Sequence, residues 1–250
     1  MPKLVSTKPV HNTVWLAARA LAYRQADHVI AISDDVRQRL CSITLLPDTQ
    51  VSVIENPAYT DDSVTMGDET PDHPWFNDDI PIVVGVGRLT GYKNFDILIR
   101  AVSQIAARRD IRLLILGKGG LRAELESLVK NLNAQEFIAL PGFVDNPFAY
   151  YKSADIFAHA AKFEAFGNVL VEALAMGTPV VATNCPGGPP SILGHGKWGR
   201  LVPIGDPDAM AKAIEVTLDE PTDAERLKSR AQDFNVDTVA DEYLSVLLPD

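Results

Sequence analysis

From Ile80 onward the chain alternates between short apolar runs and longer stretches with one apolar face. Ile82–Val86, Arg112–Leu116, Phe137–Leu140, Asp155–His159 and Pro179–Thr183 are apolar almost throughout, which predicts strands covered on both faces. Between them, near Phe95–Ala107, Leu121–Leu132, Pro147–Lys152 and Asn168–Met176, apolar residues return at helical spacing. Gly199–Val202 predicts one more strand and Pro207–Thr217 one more helix. The fold class that follows is α/β: a Rossmann-like parallel sheet with helices on both faces, taking ligands at the carboxyl ends of its strands.

The front of the chain has the same rhythm in shortened form. Lys3–Thr7 is β-prone, Val14–Arg24 has helical spacing, and His28–Ile32 reads as a buried strand. Ser33 then offers an N-cap for a helix through Leu40, and Val51–Ile54 is a further strand. So few elements cannot bury a core of their own, so residues 1–57 read as part of a domain. Residues 58–80 differ in kind. Seven acids and no Lys or Arg lie between Ala58 and Asp79, with Pro71 and Pro74 among them, which predicts a solvated linker pinned at its far end by Trp75 and Phe76. Residues 81–220 form the main domain and 221–250 two closing helices. Val236, Val239, Tyr243, Val246 and Leu247 fall on one side of the last, a face that must dock.

The net charge of −10 on 250 residues argues against nucleic acid as a partner, because that binding needs a basic face. It gives no support for a polybasic membrane anchor either. No apolar run approaches a membrane span, and nothing at the N-terminus reads as a signal peptide. Cys41 and Cys185 stand apart from each other and from histidines, which predicts two buried, reduced thiols and a cytoplasmic setting. Against the acidic background, Pro81 to Arg122 holds eight Lys/Arg and two acids, a net +6. A small anionic ligand explains part of this; a solvated helix face explains Arg108, Arg109 and Arg112 equally well.

Gly85-Val86-Gly87-Arg88 closes the first long strand, with Lys93 five residues further on. Glycine lets the backbone approach a ligand, and two cations at a sheet edge suit a diphosphate, Arg as a fork and Lys as a point charge. Two solvated cations on a loop is the competing explanation. The spacing matches neither the dinucleotide fingerprint nor a Walker loop. Gly117-Lys118-Gly119-Gly120 needs no ligand: a tight strand-to-helix turn accounts for it. In Glu164-Ala165-Phe166-Gly167-Asn168-Val169, Asn168 is a good N-cap, and the amides of Asn168 and Val169 make a ready anion site. Glu164 and Glu172 flank that helix start. Carboxylates beside phosphate are repelled, so they point to a ligand that also carries hydroxyls, unless both simply face solvent.

The Glu164-x7-Glu172 pair around Phe166-Gly167, the run Met176-Gly177-Thr178-Pro179-Val180-Val181 and Gly87-Arg88-x4-Lys93 together resemble the retaining glycosyltransferases of family 4, the two-Rossmann-domain (GT-B) type. Ala26-Asp27-His28-Val29-Ile30-Ala31-Ile32-Ser33, Ile54-Glu55-Asn56-Pro57, Leu140-Pro141-Gly142-Phe143-Val144 and Tyr151-Lys152-Ser153-Ala154-Asp155 follow that family's order as well. The resemblance makes residues 1–57 the remnant of an acceptor-side domain and 81–220 the donor-nucleotide domain, with the last helix crossing back to the N-terminal part. Arg88 and Lys93 would hold the donor diphosphate, and Glu164 the hydroxyls of the transferred sugar; these three would carry catalysis. Glu172 would hold the ribose. Gly87, Phe166, Gly167, Asn168 and Val169 would contribute backbone contacts, and Phe143 and Val144 would meet the base edge. The resemblance implies no metal and no cofactor. It implies a nucleotide-sugar donor, a UDP-sugar first among candidates, a glycan, lipid-linked or small-molecule acceptor, and peripheral association with the inner membrane face through the N-terminal part.

Three departures stand against that pattern. The front of the acceptor-side domain is missing, so the chain is expected to be truncated at its N-terminus, and His11 is given no catalytic role. Ser191 stands where a glutamate is common, and Ala160-Ala161 where serines are. The readings open at this point are a sugar transferase, a weak or inactive nucleotide-sugar-binding module that needs a missing domain or partner, and a fragment of a longer chain.

Overall fold

Alternate residues of the central strands serve two different cores, and that alternation is what builds the main sheet. A computed structural model of the chain describes residues 22–220 and 223–248. In β3 (Ile82–Val86) and β4 (Arg112–Leu116), Val83, Leu113 and Ile115 face one layer, while Ile82, Val84, Leu114 and Leu116 face the other. The first layer holds Leu98, Ile99, Val102 and Ile105 of helix α3 (Phe95–Ala106), together with Leu125, Val129, Met210 and Ile214. The second holds Tyr150 and Ala154, with Trp75 and Phe76 against them. Each such Leu, Ile or Val contributes roughly 1.5–3 kcal/mol by leaving water.

Four more parallel strands complete this sheet: β5 (Ile138–Gly142), β6 (Ile156–His159), β7 (Val180–Thr183) and β8 (Arg200–Val202). Their spatial order is β5-β4-β3-β6-β7-β8, all parallel. The intervening helices are α4 (Arg122–Asn131), α5 (Pro147–Ser153), α6 (Asn168–Ala175), α7 (Pro189–Ile192) and α8 (Pro207–Asp219). The α/β class and the strands and helices expected after residue 80 are found, with ends displaced by one or two residues.

The chain divides into two compact units, Met1–Glu55 and Asn56–Asp250. In the first, β1 (Val29–Ala31) pairs in parallel with β2 (Val51–Val53) over a small core of Val29, Ala31, Leu46 and Val51. Ser33 accepts from the amide of Val36 and caps helix α1 (Asp34–Thr44). That helix runs one turn past Leu40 and stops where Leu45 turns left-handed (φ 56°). Cys41 is half-buried rather than buried, and both cysteines are free thiols. Lys3–Thr7, His11 and all but the end of Val14–Arg24 lie outside the described residues; Ala22 and Tyr23 are helical.

Residues 58–80 belong to the second unit and are docked on it. Helix α2 (Asp61–Met66) starts at a capping box of Thr60 and Ser63. The carbonyl of Met66 accepts from Asn146, Asp68 pairs with Lys152, and the carbonyl of Asp72 accepts from the Tyr150 hydroxyl. Trp75 and Phe76 do pin the far end, where Arg112 donates to the Trp75 carbonyl and pairs with Asp78. The sequence reads this segment as a solvated linker pinned at its far end; the groups that hold it come from residues 112–152. After α9 (Ala224–Ala231), helix α10 (Val236–Leu247) begins beside the same segment, with the amide of Val236 bonded to the Tyr59 carbonyl. Among the described residues no helix is long and apolar enough to cross a membrane.

Candidate functional site

Strand β3 lies between β4 and β6, and the chain runs from β3 toward β5 on one side and from β6 toward β8 on the other. Loops leaving two such neighbours diverge, and the crevice they open is where ligands sit in this architecture. Gly87 follows β3 and His159 ends β6, so both stand at that crevice.

The loop after β3 is fixed against the loop after β4. The amide of Leu89 donates to the Lys118 carbonyl at 3.0 Å, and the amide of Leu121 to that of Leu89 at 3.1 Å. A Cβ on Gly117 would stand 2.0 Å from the Gly87 oxygen, and one on Gly119 2.3 Å from the Leu89 oxygen. The Gly-Lys-Gly-Gly turn therefore needs Gly117 and Gly119 for contact between two backbones, while Gly120 faces open space. Its lysine reaches out instead, with Nζ 4.9 Å from the centre of the Phe143 ring. Gly87, Arg88, Leu116, Lys118, Phe143 and Val144 line one open cavity of about 290 Å³. Arg88 and Phe143 are exposed there.

On its other side the β3 loop meets the loop after β6, where the Lys162 amide donates to the Tyr92 carbonyl at 2.8 Å. A turn closed by Lys93 N–H to the Thr90 carbonyl, followed by left-handed Asn94 (φ 55°), sets the direction of Lys93. The lysine stem lies over Gly87, 3.3 Å from where a Cβ would be. Its ammonium bonds Oε2 of Glu164, and both side chains are four-fifths buried. His159 Nε2 lies 3.2 Å from the same oxygen. Burial works against a charged Glu164, but hydrogen bonds from His159 and Lys93 and the lysine charge outweigh it, holding the carboxyl at about 2. Burial pushes the His159 imidazole below its ordinary range.

The backbone of Glu164 is held just as firmly. Its amide donates to the Pro186 carbonyl and its carbonyl accepts from Gly188. Gly187, left-handed at φ 114°, bridges it in parallel. Helix α6 begins four residues on. Its N-cap is Gly167 (φ 111°), not Asn168 as the sequence suggests, because glycine takes the left-handed conformation at little cost and leaves Asn168 as the first helical residue. The amides of Asn168 and Val169 have no partner within the helix, by its geometry. Asn168 Oδ1 accepts from Asn56 at 3.4 Å. Phe166 is buried against Phe234, so only its backbone could meet a ligand.

Glu172 is bonded away from this cluster. Its carboxylate accepts the Tyr151 hydroxyl at 2.9 Å, and burial raises its pKa despite that bond. The sequence-predicted residues thus fall into linked groups: Gly87, Arg88, Phe143 and Val144 on the cavity; Lys93 with Glu164 beside Gly87; Gly167, Asn168 and Val169 next to Glu164. A Cβ at Gly167 would stand 3.3 Å from the Glu164 stem. Of the eight cations between residues 81 and 122, Arg108, Arg109, Arg112 and Arg122 are paired with Glu215, Asp219, Asp78 and Glu126. Those four are structural. The sequence reading gives no role to His159, Lys118, Tyr151 or the Gly187-Gly188 pair. A histidine closing an otherwise apolar strand was the available signal.

The profile of the family described as Glycosyl transferases group 1 matches residues 68–234. The N-acetylgalactosamine-N,N'-diacetylbacillosaminyl-diphospho-undecaprenol 4-alpha-N-acetylgalactosaminyltransferase of Campylobacter jejuni is 35% identical over 170 residues, 66% of this chain and 46% of that protein. The lipopolysaccharide core biosynthesis glycosyltransferase LpsE of Rhizobium meliloti is 28% identical, across 90% of this chain and 65% of its own. The chain thus spans about half to two thirds of the length of these relatives. Among solved structures, Anabaena Alr3699/HepE in complex with UDP superposes with a TM-score of 0.82 at 24% identity, covering 96% of this chain and 69% of that one.

Proposed function

The chain belongs to the glycosyl transferases group 1, and from that premise we propose that it moves a sugar, with retention of configuration, from a nucleoside-diphosphate donor to a glycan or lipid-linked acceptor. The observation that carries this reading is the continuous line of contacts across the β3–β6 crevice, from Gly87 through Lys93 and Glu164 to Gly167. Lys93 and Glu164 lie along that line and Arg88 on the adjoining cavity, which supports the reading; Glu172 stands apart from both, bonded to Tyr151.

Arg88 and Lys93 would meet the diphosphate, with the free amides at the start of α6 adding donors that cost nothing to orient. Held ionised, Glu164 can only accept hydrogen bonds, which suits the hydroxyls of the transferred sugar. The apolar wall of Leu116, Phe143 and Val144 offers a base a flat surface. Glu172, one turn into α6, would take the ribose. Negative charge grows on the diphosphate as the sugar leaves it, and fixed cations and amides stabilise that change without reorganising; losing one such contact costs roughly 3–4 kcal/mol. No metal is needed in this scheme and no protein nucleophile is assigned.

UDP is the first nucleotide to try, since the HepE structure contains it. The diphospho-undecaprenol named for the Campylobacter relative supports an acceptor on a lipid carrier, with work at a membrane face. Calorimetric titration of UDP, GDP and ADP tests the donor site. Arg88→Ala should weaken the preferred nucleotide by roughly 10- to 100-fold, the loss expected for a hydrogen bond to a charged group. Equal binding by the variant and the parent would remove Arg88 from the diphosphate site.

A further inference from the structure

We propose that His159 is a positioning residue, a neutral imidazole whose Nε2–H keeps Glu164 aimed at the donor sugar while Lys93 turns to the phosphates. The inference rests on the donor-site reading above and adds a residue to it.

His159 closes a strand whose other members, Ile156, Phe157 and Ala158, are wholly buried, and is itself only 3% exposed. A polar ring in such a place is costly unless bonded. Its one hydrogen bond among the described residues is to Glu164. An ionised carboxylate has no hydrogen to give, so Nε2 must carry the proton. Nδ1 is buried with no partner among the described residues. A hydrogen there would be an unpaired buried donor and would make the ring a cation, so Nδ1 stays bare.

The division of labour follows from the two partners of Glu164. Lys93 is long and has a second destination, because a diphosphate over Gly87 competes for its ammonium. The imidazole is short, packed and has no other acceptor among the described residues. When phosphates draw Lys93 away, His159 still holds the carboxylate, whose backbone is already fixed by Gly187 and Gly188.

The test uses the full chain and two variants. His159→Gln retains an N–H donor near the Nε2 position, whereas His159→Leu retains bulk without a donor. Calorimetry with UDP, UDP-glucose, UDP-galactose and UDP-N-acetylgalactosamine gives the affinity of the best sugar nucleotide relative to UDP. That ratio should fall about tenfold in His159→Leu and largely return in His159→Gln. Nitrogen NMR of the parent at neutral pH should find the ring proton on Nε2 and none on Nδ1. Equal ratios in both variants, an unchanged ratio in His159→Leu, a parent that prefers none of the sugar nucleotides, or a protonated Nδ1 would each overturn the proposal. A parent that binds no UDP at all would overturn the donor-site reading itself.

Discussion

Gly187 and Glu164 lie backbone against backbone, so close that a Cβ on Gly187 would fall 1.7 Å from the Glu164 carbonyl oxygen. The candidate carboxylate is therefore held from behind by the loop of Gly187 and Gly188. Its position depends on a residue 23 places further along the chain.

Gly187→Ala should disturb both fold and site. The left-handed backbone and the overlap with Glu164 each oppose a side chain, and a forced conformation of this kind costs on the order of 1–3 kcal/mol. Urea denaturation should show that loss, and calorimetry should show weakened sugar-nucleotide binding in whatever fraction remains folded. Full stability and unchanged binding would mean that the two loops are free to separate.

Glu164→Gln removes the charge that occupies Lys93. We expect the variant to bind UDP as tightly as the parent or more tightly, since the ammonium is released to the phosphates, and to lose the preference for a sugar nucleotide. Weaker UDP binding would contradict a competition between Glu164 and phosphate for Lys93.

The same pair predicts a pH dependence. The folded protein holds the Glu164 carboxyl at about 2, below its ordinary 4.5. A depressed carboxylate stabilises the fold above the unfolded value, and that contribution disappears as pH falls through the folded one. The parent should thus exceed Glu164→Gln in stability by up to roughly 3 kcal/mol above pH 4.5, with the gap closing toward pH 2. A gap that widened on acidification would reverse the sign of the argument.

Arg112→Ala should loosen the segment that the composition reads as a linker. Arg112 bonds the Trp75 carbonyl, pairs with Asp78 and lies 5.2 Å from the Trp75 ring centre. Losing these together should cost about 1–3 kcal/mol and speed proteolysis between residues 70 and 80. Unchanged cleavage would show that Trp75 and Phe76 suffice.

Fold class was legible because buried parallel strands must be apolar throughout, as Val83-Val84 and Leu113–Leu116 are. The order of those strands was not, since β3 beside β6 is a pairing across some seventy residues that no local pattern records. Arg88 and Lys93 stood out as cations in the loop after a strand, and Glu164 as a carboxylate just before a helix start. His159 did not, because a single histidine in Ile156–His159 looks like core. Asn168 looked like the cap because its side chain suits that position, while the preceding glycine needs no side chain to take it. The acidic run from Asp61 to Asp79 reads as solvated from composition; the contacts that dock it come from Asn146, Lys152 and Arg112, which no local pattern pairs with it.

Amide chemical shifts recorded while UDP-sugar is added test most directly whether three loops serve one ligand. Gly87 to Lys93, Gly142 to Val144 and Gly167 to Val169 should shift together, with one common affinity. Shifts confined to one of these loops, or different affinities at each, would contradict it.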